Sequence, residues 1–101
     1  MNIGDIVTIV TVSGEYVGKL ETATGQDVLT VSLTEPRMIL QAPDGKMGFA
    51  KGIAVTGEEN PKSVMFQNIV FMTPTNERVA TAWQEAASNI VTPSKPSIVT
   101  S

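Results

Sequence analysis

The feature that most constrains the fold of this 101-residue chain is a glycine inside an alternating strand segment. Residues 16–22 (YVGKLET) alternate, with Tyr16, Gly18 and Leu20 on one face. Glycine in a strand interior costs stability and is usually kept where the backbone bends sharply or where another backbone approaches closely. We therefore expect a short, sharply bent sheet built around this segment.

Three further segments predict the rest of that sheet. Residues 6–12 (IVTIVTV) and 28–33 (VLTVSL) are rich in β-branched residues, as strands are. Residues 64–72 (VMFQNIVFM) indicate two short strands joined by the polar kink Gln67-Asn68. These patterns predict a mainly β fold, a small and strongly bent five-stranded barrel.

The middle of the chain is less regular. Glu35-Pro36 is expected to break the strand pattern, and Pro43-Asp44-Gly45 is a strong turn signal. Gly48 and Gly52 imply that any strand over residues 46–56 is bent or bulged. The path of this segment is therefore left open by the sequence.

A C-terminal helix is predicted after the β portion. Thr73 is expected to cap it, Pro74 suits the first helical position, and Glu77 falls in the first turn. The apolar residues that recur at helical spacing are Val79, Ala82, Trp83, Ala86, Ala87 and Ile90. We expect a helix over about 74–89 that docks on the sheet, one domain over residues 1–90, and a flexible tail over 91–101.

Composition removes most catalytic chemistry. The chain has no cysteine and no histidine, so it lacks disulfides, thiolate metal ligands and the commonest general base. Glu58 and Glu59 are adjacent in a turn and poorly placed as an acid and base pair. We expect no enzyme and no cofactor.

Charge and hydropathy bear on partners and location. Seven Lys+Arg against ten Asp+Glu give a net charge of −3, without the basic footprint of most nucleic-acid-binding proteins. No positively charged leader and no long apolar run is visible, so we expect a soluble, cytoplasmic protein with no membrane partner, of cellular or viral origin.

The β portion resembles the Sm-like family, which includes the LSm proteins and bacterial Hfq. Gly18-Lys19-Leu20 and Leu29-Thr30-Val31 fall at the spacing of the family's first motif, and Phe66-Gln67-Asn68 at its second. The resemblance covers roughly residues 4–73, less the irregular middle. It implies a bent five-stranded SH3-like barrel, assembly of identical copies into a ring, and binding of single-stranded RNA.

The chain also departs from the family pattern. Ala23-Thr24 stands at the family's aromatic-Asp pair, and Val28 at its frequent Asn. The stacking aromatic is missing, with Gln26 nearest to its place, and Gln67 replaces the basic residue of the second motif. The usual N-terminal helix is absent as well, which puts the family's RNA contacts in question.

Three groups of residues are candidates for nucleic-acid contacts. Gln67 and Asn68 could hydrogen-bond base edges at the ring's pore, or could simply form a strand-joining turn. The second group is the loop Thr24, Gly25, Gln26 and Asp27, for which a polar hairpin loop is the plainer interpretation. The third is the cations Arg37, Lys46 and Lys51, which could meet phosphates or remain solvated.

Competing functions follow from these readings. The leading hypothesis is a non-enzymatic homo-oligomeric ring that binds single-stranded RNA, with the strands around Gln67-Asn68 supplying one edge and the third strand the other. The alternative is a structural or protein-interaction component, for instance of a viral particle, that uses the same ring without nucleic acid. A monomeric SH3-like peptide binder is disfavoured because the five aromatic residues are scattered.

Overall fold

The computed structural model describes residues 1–24, 30–50 and 52–88, and the backbone of residues 99–100. The described residues form a mainly β architecture with one helix, as the sequence predicts. The elements in chain order are β1 (Ile6–Thr11), β2 (Gly14–Thr24), β3 (Thr30–Gln41), β4 (Met47–Phe49), β5 (Ser63–Phe66), β6 (Ile69–Pro74), α1 (Glu77–Ser88) and β7 (Val99–Thr100).

The strands share one sheet in the order β6-β1-β2-β3-β4-β7, and β5 also pairs with β3. The long β3 divides its second edge between two partners: Val31–Thr34 pair with β5, and Ile39–Gln41 pair with β4. All pairings are antiparallel except that of β4 with β7. No backbone pairing joins β5 to β6 in the described part of the chain, so the sheet is open and the closed five-stranded barrel stays a prediction.

The sheet bends at a bulge between β2 and β3. Here Gly18 alone stands opposite both Glu35 and Pro36, because the register shifts by one residue. The flanking pairs are Val17 with Arg37 and Lys19 with Thr34. Glu35 adopts a left-handed φ of 48° and Pro36 is fully buried. The expectation that Glu35-Pro36 would break the strand is therefore wrong, because a bulge accommodates the proline and β3 runs on to Gln41.

Gly18 is required by close backbone approach, one of the two reasons predicted for it. A Cβ at this position would lie 3.1 Å from each of three atoms: the Leu33 Cβ, the Pro36 Cα and the Thr34 carbonyl oxygen. Two of these atoms belong to the backbone and cannot swing away as a flexible side-chain end could. A side chain here would require the two strands to move apart by a few tenths of an ångström.

The bulge is held by the backbone of Glu35. Its N–H donates to the Lys62 carbonyl at 2.7 Å, just before β5. Its carbonyl accepts a hydrogen bond from the indole Nε1 of Trp83 in α1 at 2.8 Å. One residue therefore fixes the entry of β5 and the docking of the helix at once.

Both faces of the sheet carry an apolar cluster. One cluster is enclosed by the curled sheet itself and consists of Val7, Ile9, Tyr16, Leu20, Val31 and Leu33. The other lies under α1 and consists of Val17, Phe49, Ala82 and Trp83. The predicted alternation along β2 is confirmed, since Tyr16 and Leu20 belong to the first cluster and Val17 to the second. Tyr16 and Trp83 are both buried, at 5% and 3% exposure.

Helix α1 begins later than predicted. Asn76 caps it, with its side-chain oxygen accepting a hydrogen bond from the Val79 N–H at 2.9 Å. Thr73 and Pro74 instead end β6, where they pair with Thr8 and Val7. The predicted cap at Thr73 and helix start at Pro74 are therefore wrong, because strand pairing with β1 continues through both residues.

Two other expectations change at the ends of the sheet. The third strand cannot supply an assembly edge, because β3 is paired on both sides. The predicted flexible tail over 91–101 lies largely outside the described residues, but Val99–Thr100 form β7 in parallel register with Gly48 and Phe49 of β4.

The bulge generates a direct test. We expect Gly18→Ala to lower the free energy of unfolding by about 1–3 kcal/mol, because overpacking forces the two backbones apart. Gly57→Ala is the matched control, since a Cβ there would meet chiefly the Ala54 methyl at 3.3 Å in an exposed turn. Urea unfolding of both variants measures the difference. Equal losses in the two variants would contradict the close-approach account of Gly18.

Candidate functional site

The polar kink Gln67-Asn68 lies between β5 and β6, with both residues exposed. Asn68 has a φ of 57°, the left-handed conformation that Asn tolerates better than most residues. Neither side-chain amide hydrogen-bonds to another residue in the described part of the chain. The kink is thus a strand-joining turn, as the plainer interpretation required, and it also presents two amides to solvent.

Thr24 lies at the same end of the sheet as the kink. It is the last residue of β2, is exposed, and pairs with Thr30. The next pairings place Ala23 beside Val31, and Val31 beside Phe66, which precedes Gln67. The fold therefore gathers two of the predicted contact regions at one end. Gly25, Gln26 and Asp27, the rest of the predicted loop, lie outside the described residues.

The two predicted cations that the structure describes, Arg37 and Lys46, do not lie beside the kink. The side chain of Arg37 is only 12% exposed, and its Nη2 lies 3.8 Å from the Glu35 carboxylate. Its Nε is buried without a hydrogen-bond partner in the described structure. Arg37 is therefore better placed to offset the charge of Glu35 than to reach a phosphate.

Lys46 lies in the turn between β3 and β4 and is exposed. Because β5 and the kink adjoin the first half of β3, the full length of β3 separates Lys46 from Gln67. Lys51 lies outside the described residues. The kink is consequently a polar site that neither Arg37 nor Lys46 adjoins.

Unpaired strand edges flank the kink on both sides. Within the described residues β5 pairs only with β3, and β6 only with β1. Large apolar side chains are exposed along these two strands: Met65 at 64%, Val70 at 60% and Phe71 at 53%. Pro74 ends β6, which is a position where an edge strand tolerates a proline.

Sequence reasoning missed this apolar surface. The sequence pattern places Met65, Val70 and Phe71 in the two strands beside the kink and does not predict their exposure. The available signal was the uninterrupted apolar run Ile69–Met72, which cannot point to one face of a strand only.

Glu21 joins three strands at the side of the sheet. Its carboxylate accepts hydrogen bonds from the Thr34 hydroxyl and the Ser63 hydroxyl, each at 2.7 Å. These two bonds, led by that of Thr34, stabilise the charged form and hold the pKa of Glu21 below its ordinary value of 4.5. The residue ties β2 to β3 and to the start of β5.

Two further features concern metal ions and membranes. Within residues 1–24, 30–50 and 52–88, no three His, Cys, Asp or Glu side chains are grouped so that they could hold a metal ion. Among the described helical residues, no helix has the length and apolar character needed to cross a membrane.

Comparison with protein-family models, with curated proteins and with solved structures found no match. The fold itself places the chain among small, mainly β proteins with an open, largely antiparallel sheet and a C-terminal helix. Membership of the Sm-like family stays a prediction that rests on the motifs around Gly18 and Gln67-Asn68.

The hydrogen bonds of Glu21 predict a pH dependence of stability. Because the folded-state pKa is lowered, the stabilisation is present above the ordinary value of 4.5 and is lost as pH falls through the folded-state pKa. We expect wild type to exceed Glu21→Gln in free energy of unfolding at neutral pH, with the gap closing on acidification.

Urea unfolding of both proteins between neutral and acidic pH measures this gap. Ser63→Ala, which removes one of the two donors, should show a weaker pH dependence than wild type. A gap between wild type and Glu21→Gln that is constant with pH would contradict the assignment.

Proposed function

We propose that this protein is a non-enzymatic homo-oligomeric assembly component, a ring of Sm-like type in which β5 of one copy pairs with β6 of the next. The observation that carries the proposal is the pair of unpaired edges on either side of the kink. Unpaired edges with exposed apolar side chains are templates for pairing with another chain.

The apolar surface supports association through these edges. Met65 on β5 and the pair Val70 and Phe71 on β6 would lose contact with water if the two edges met. Burying a fully exposed side chain of this kind is worth roughly 1.5–3 kcal/mol, and each of these three, which is little more than half exposed, would contribute about half of that. A small β domain gains stability from such an interface that its own core does not supply.

Pairing of β5 with β6 of the next copy leads to a ring when the rotation closes, and not to a twofold dimer. The two edges belong to different strands, so their pairing is heterologous. In the rings of the Sm-like family, which this chain resembles, the residues at the matching kink line the inner rim. Gln67 and Asn68 of each copy would surround one axis.

Charge favours an assembly role over a nucleic-acid role. The chain carries a net charge of −3, and Arg37 is largely covered. Strong phosphate binding rests on several exposed cations in one place, and of the described cations predicted to contact phosphate, neither Arg37 nor Lys46 lies at the kink.

Assembly is tested by substituting charge into the proposed interface. We expect wild type to be oligomeric in native mass spectrometry, and both Met65→Glu and Val70→Lys to be monomeric, because each places a charge between apolar edges. Val55→Lys is the matched control, since Val55 is fully exposed in the connection between β4 and β5, outside both edge strands, and its variant should assemble normally. A wild-type monomer at tens of micromolar would overturn the proposal.

Single-stranded RNA binding by the same ring is the second candidate function. What favours it is the pair of exposed amides at Gln67 and Asn68, which lack hydrogen-bond partners among the described residues. Amides can both donate to and accept from base edges. A ring would repeat this weak site in every copy and raise the overall affinity through effective concentration.

Fluorescence anisotropy with labelled oligo-U and oligo-A tests this candidate. RNA binding predicts an affinity that weakens between about 50 and 200 mM salt. The double variant Gln67→Ala, Asn68→Gly should bind less, and glycine at 68 preserves the positive φ. Gln41→Ala, at the other end of β3, is the control that should bind normally. Intact rings that do not bind RNA would contradict this candidate and leave assembly as the supported function.

A further inference from the structure

A groove on the helix side of the sheet has no role in the proposed assembly. It lies between α1 and the turn that joins β3 to β4, and its volume is about 330 Å³. The apolar side chains that line it are Ile39, Met47, Val79 and Ala82. This size falls at the lower end of the range of roughly 300–1,000 Å³ that is usual for small-molecule sites.

Two cations stand at this groove from two different elements. Lys46 belongs to the turn before β4 and Arg78 to the first turns of α1, and both line the cavity. Both are exposed, and neither makes an ion pair within the described part of the chain. The described lining contains no acidic residue. The groove is therefore positively charged at its rim, although the chain as a whole carries a net charge of −3.

The turn that presents Lys46 is built locally. The backbone N–H of Lys46 donates a hydrogen bond to the Asp44 carboxylate at 3.0 Å. The backbone carbonyl of Lys46 accepts a hydrogen bond from the Ala42 N–H at 2.8 Å. Gly45 supplies the positive φ of 90° that the turn needs. Asp44 engages the backbone of Lys46, so the ammonium group remains available to a ligand.

We propose that this groove binds a small amphipathic carboxylate. The apolar body of the ligand lies against Ile39, Met47 and Val79, and its carboxylate meets Lys46 and Arg78. Charge-assisted hydrogen bonds to a carboxylate are stronger than neutral ones, so the cations define the ligand's charged end. The proposal is independent of the assembly role, because the groove shares no lining residue with β5, β6 or the kink.

The lining favours a small acid over a nucleotide. The described wall contains no aromatic side chain on which a base could stack, and stacking is the main source of sequence-tolerant base binding. Few polar side chains other than the two cations are present to read a base edge. An acyl or aliphatic acid needs neither feature.

Isothermal titration of the full-length protein with octanoate, octanol and uridine monophosphate tests the proposal. Octanoate should bind roughly tenfold more tightly than octanol, because only the acid can engage both cations. Lys46→Gln combined with Arg78→Gln should remove that preference and leave octanol binding unchanged. Lys62→Gln, an exposed lysine beside β5, is the matched charge control and should behave as wild type.

A second measurement locates the site without altering the fold. Octanoate should shift the NMR signals of Met47, Val79 and Ala82, while native mass spectrometry of the same samples reports the oligomeric state separately. Equal binding of octanoate and octanol, tighter binding of uridine monophosphate, or shifts confined to other residues would each overturn the proposal.

Discussion

The close approach of Gly18 to the bulge at Glu35-Pro36 is the constraint on which the rest of the molecule depends. Because Gly18 has no side chain, the β3 backbone can crowd against it and bend while remaining paired with β2. The bend turns the Glu35 carbonyl toward the indole of Trp83 and its N–H toward Lys62. The positions of α1 and β5 therefore follow from a single irregularity, and bulges commonly redirect strands in this way.

The bend also divides the surface into two chemically distinct ends. The first half of β3 pairs with β5 and adjoins the kink, so this end carries open edges and exposed amides. The second half pairs with β4 and carries the turn of Lys46, so the other end carries the cationic groove under α1. One strand thus separates a surface suited to self-association from one suited to a small anionic ligand.

Local chemistry predicted much of this fold, and non-local pairing accounts for what it missed. Gly18, the turn geometry of Asn68 and the docking of Trp83 each depend on properties of the residue itself, and each was anticipated. Pro36 was misjudged because a proline is tolerated inside a strand only when the partner strand provides a bulge. Thr73 and Pro74 have good helix-start chemistry, yet pairing with β1 keeps both in a strand. The features of the candidate site can also be separated into those that local sequence predicted and those that it did not. The kink is predicted by its two polar residues alone. The exposed apolar side chains of the edges, the burial of Arg37 and the groove at Arg78 depend on which elements become neighbours in the fold.

The distance of Arg37 and Lys46 from the kink determines how strongly a ring of this chain could bind nucleic acid. Amide groups discriminate between base edges, but phosphate neutralisation supplies most of the affinity for nucleic acids. A kink with Gln67 in place of a basic residue offers selectivity without that attraction, so any RNA contact must draw its strength from repetition around the ring. Association of the edges needs no such help, because Met65, Val70 and Phe71 already present apolar area to water. Self-assembly is thus the property that the physical chemistry of this surface supports most directly, and nucleic-acid binding is conditional on it.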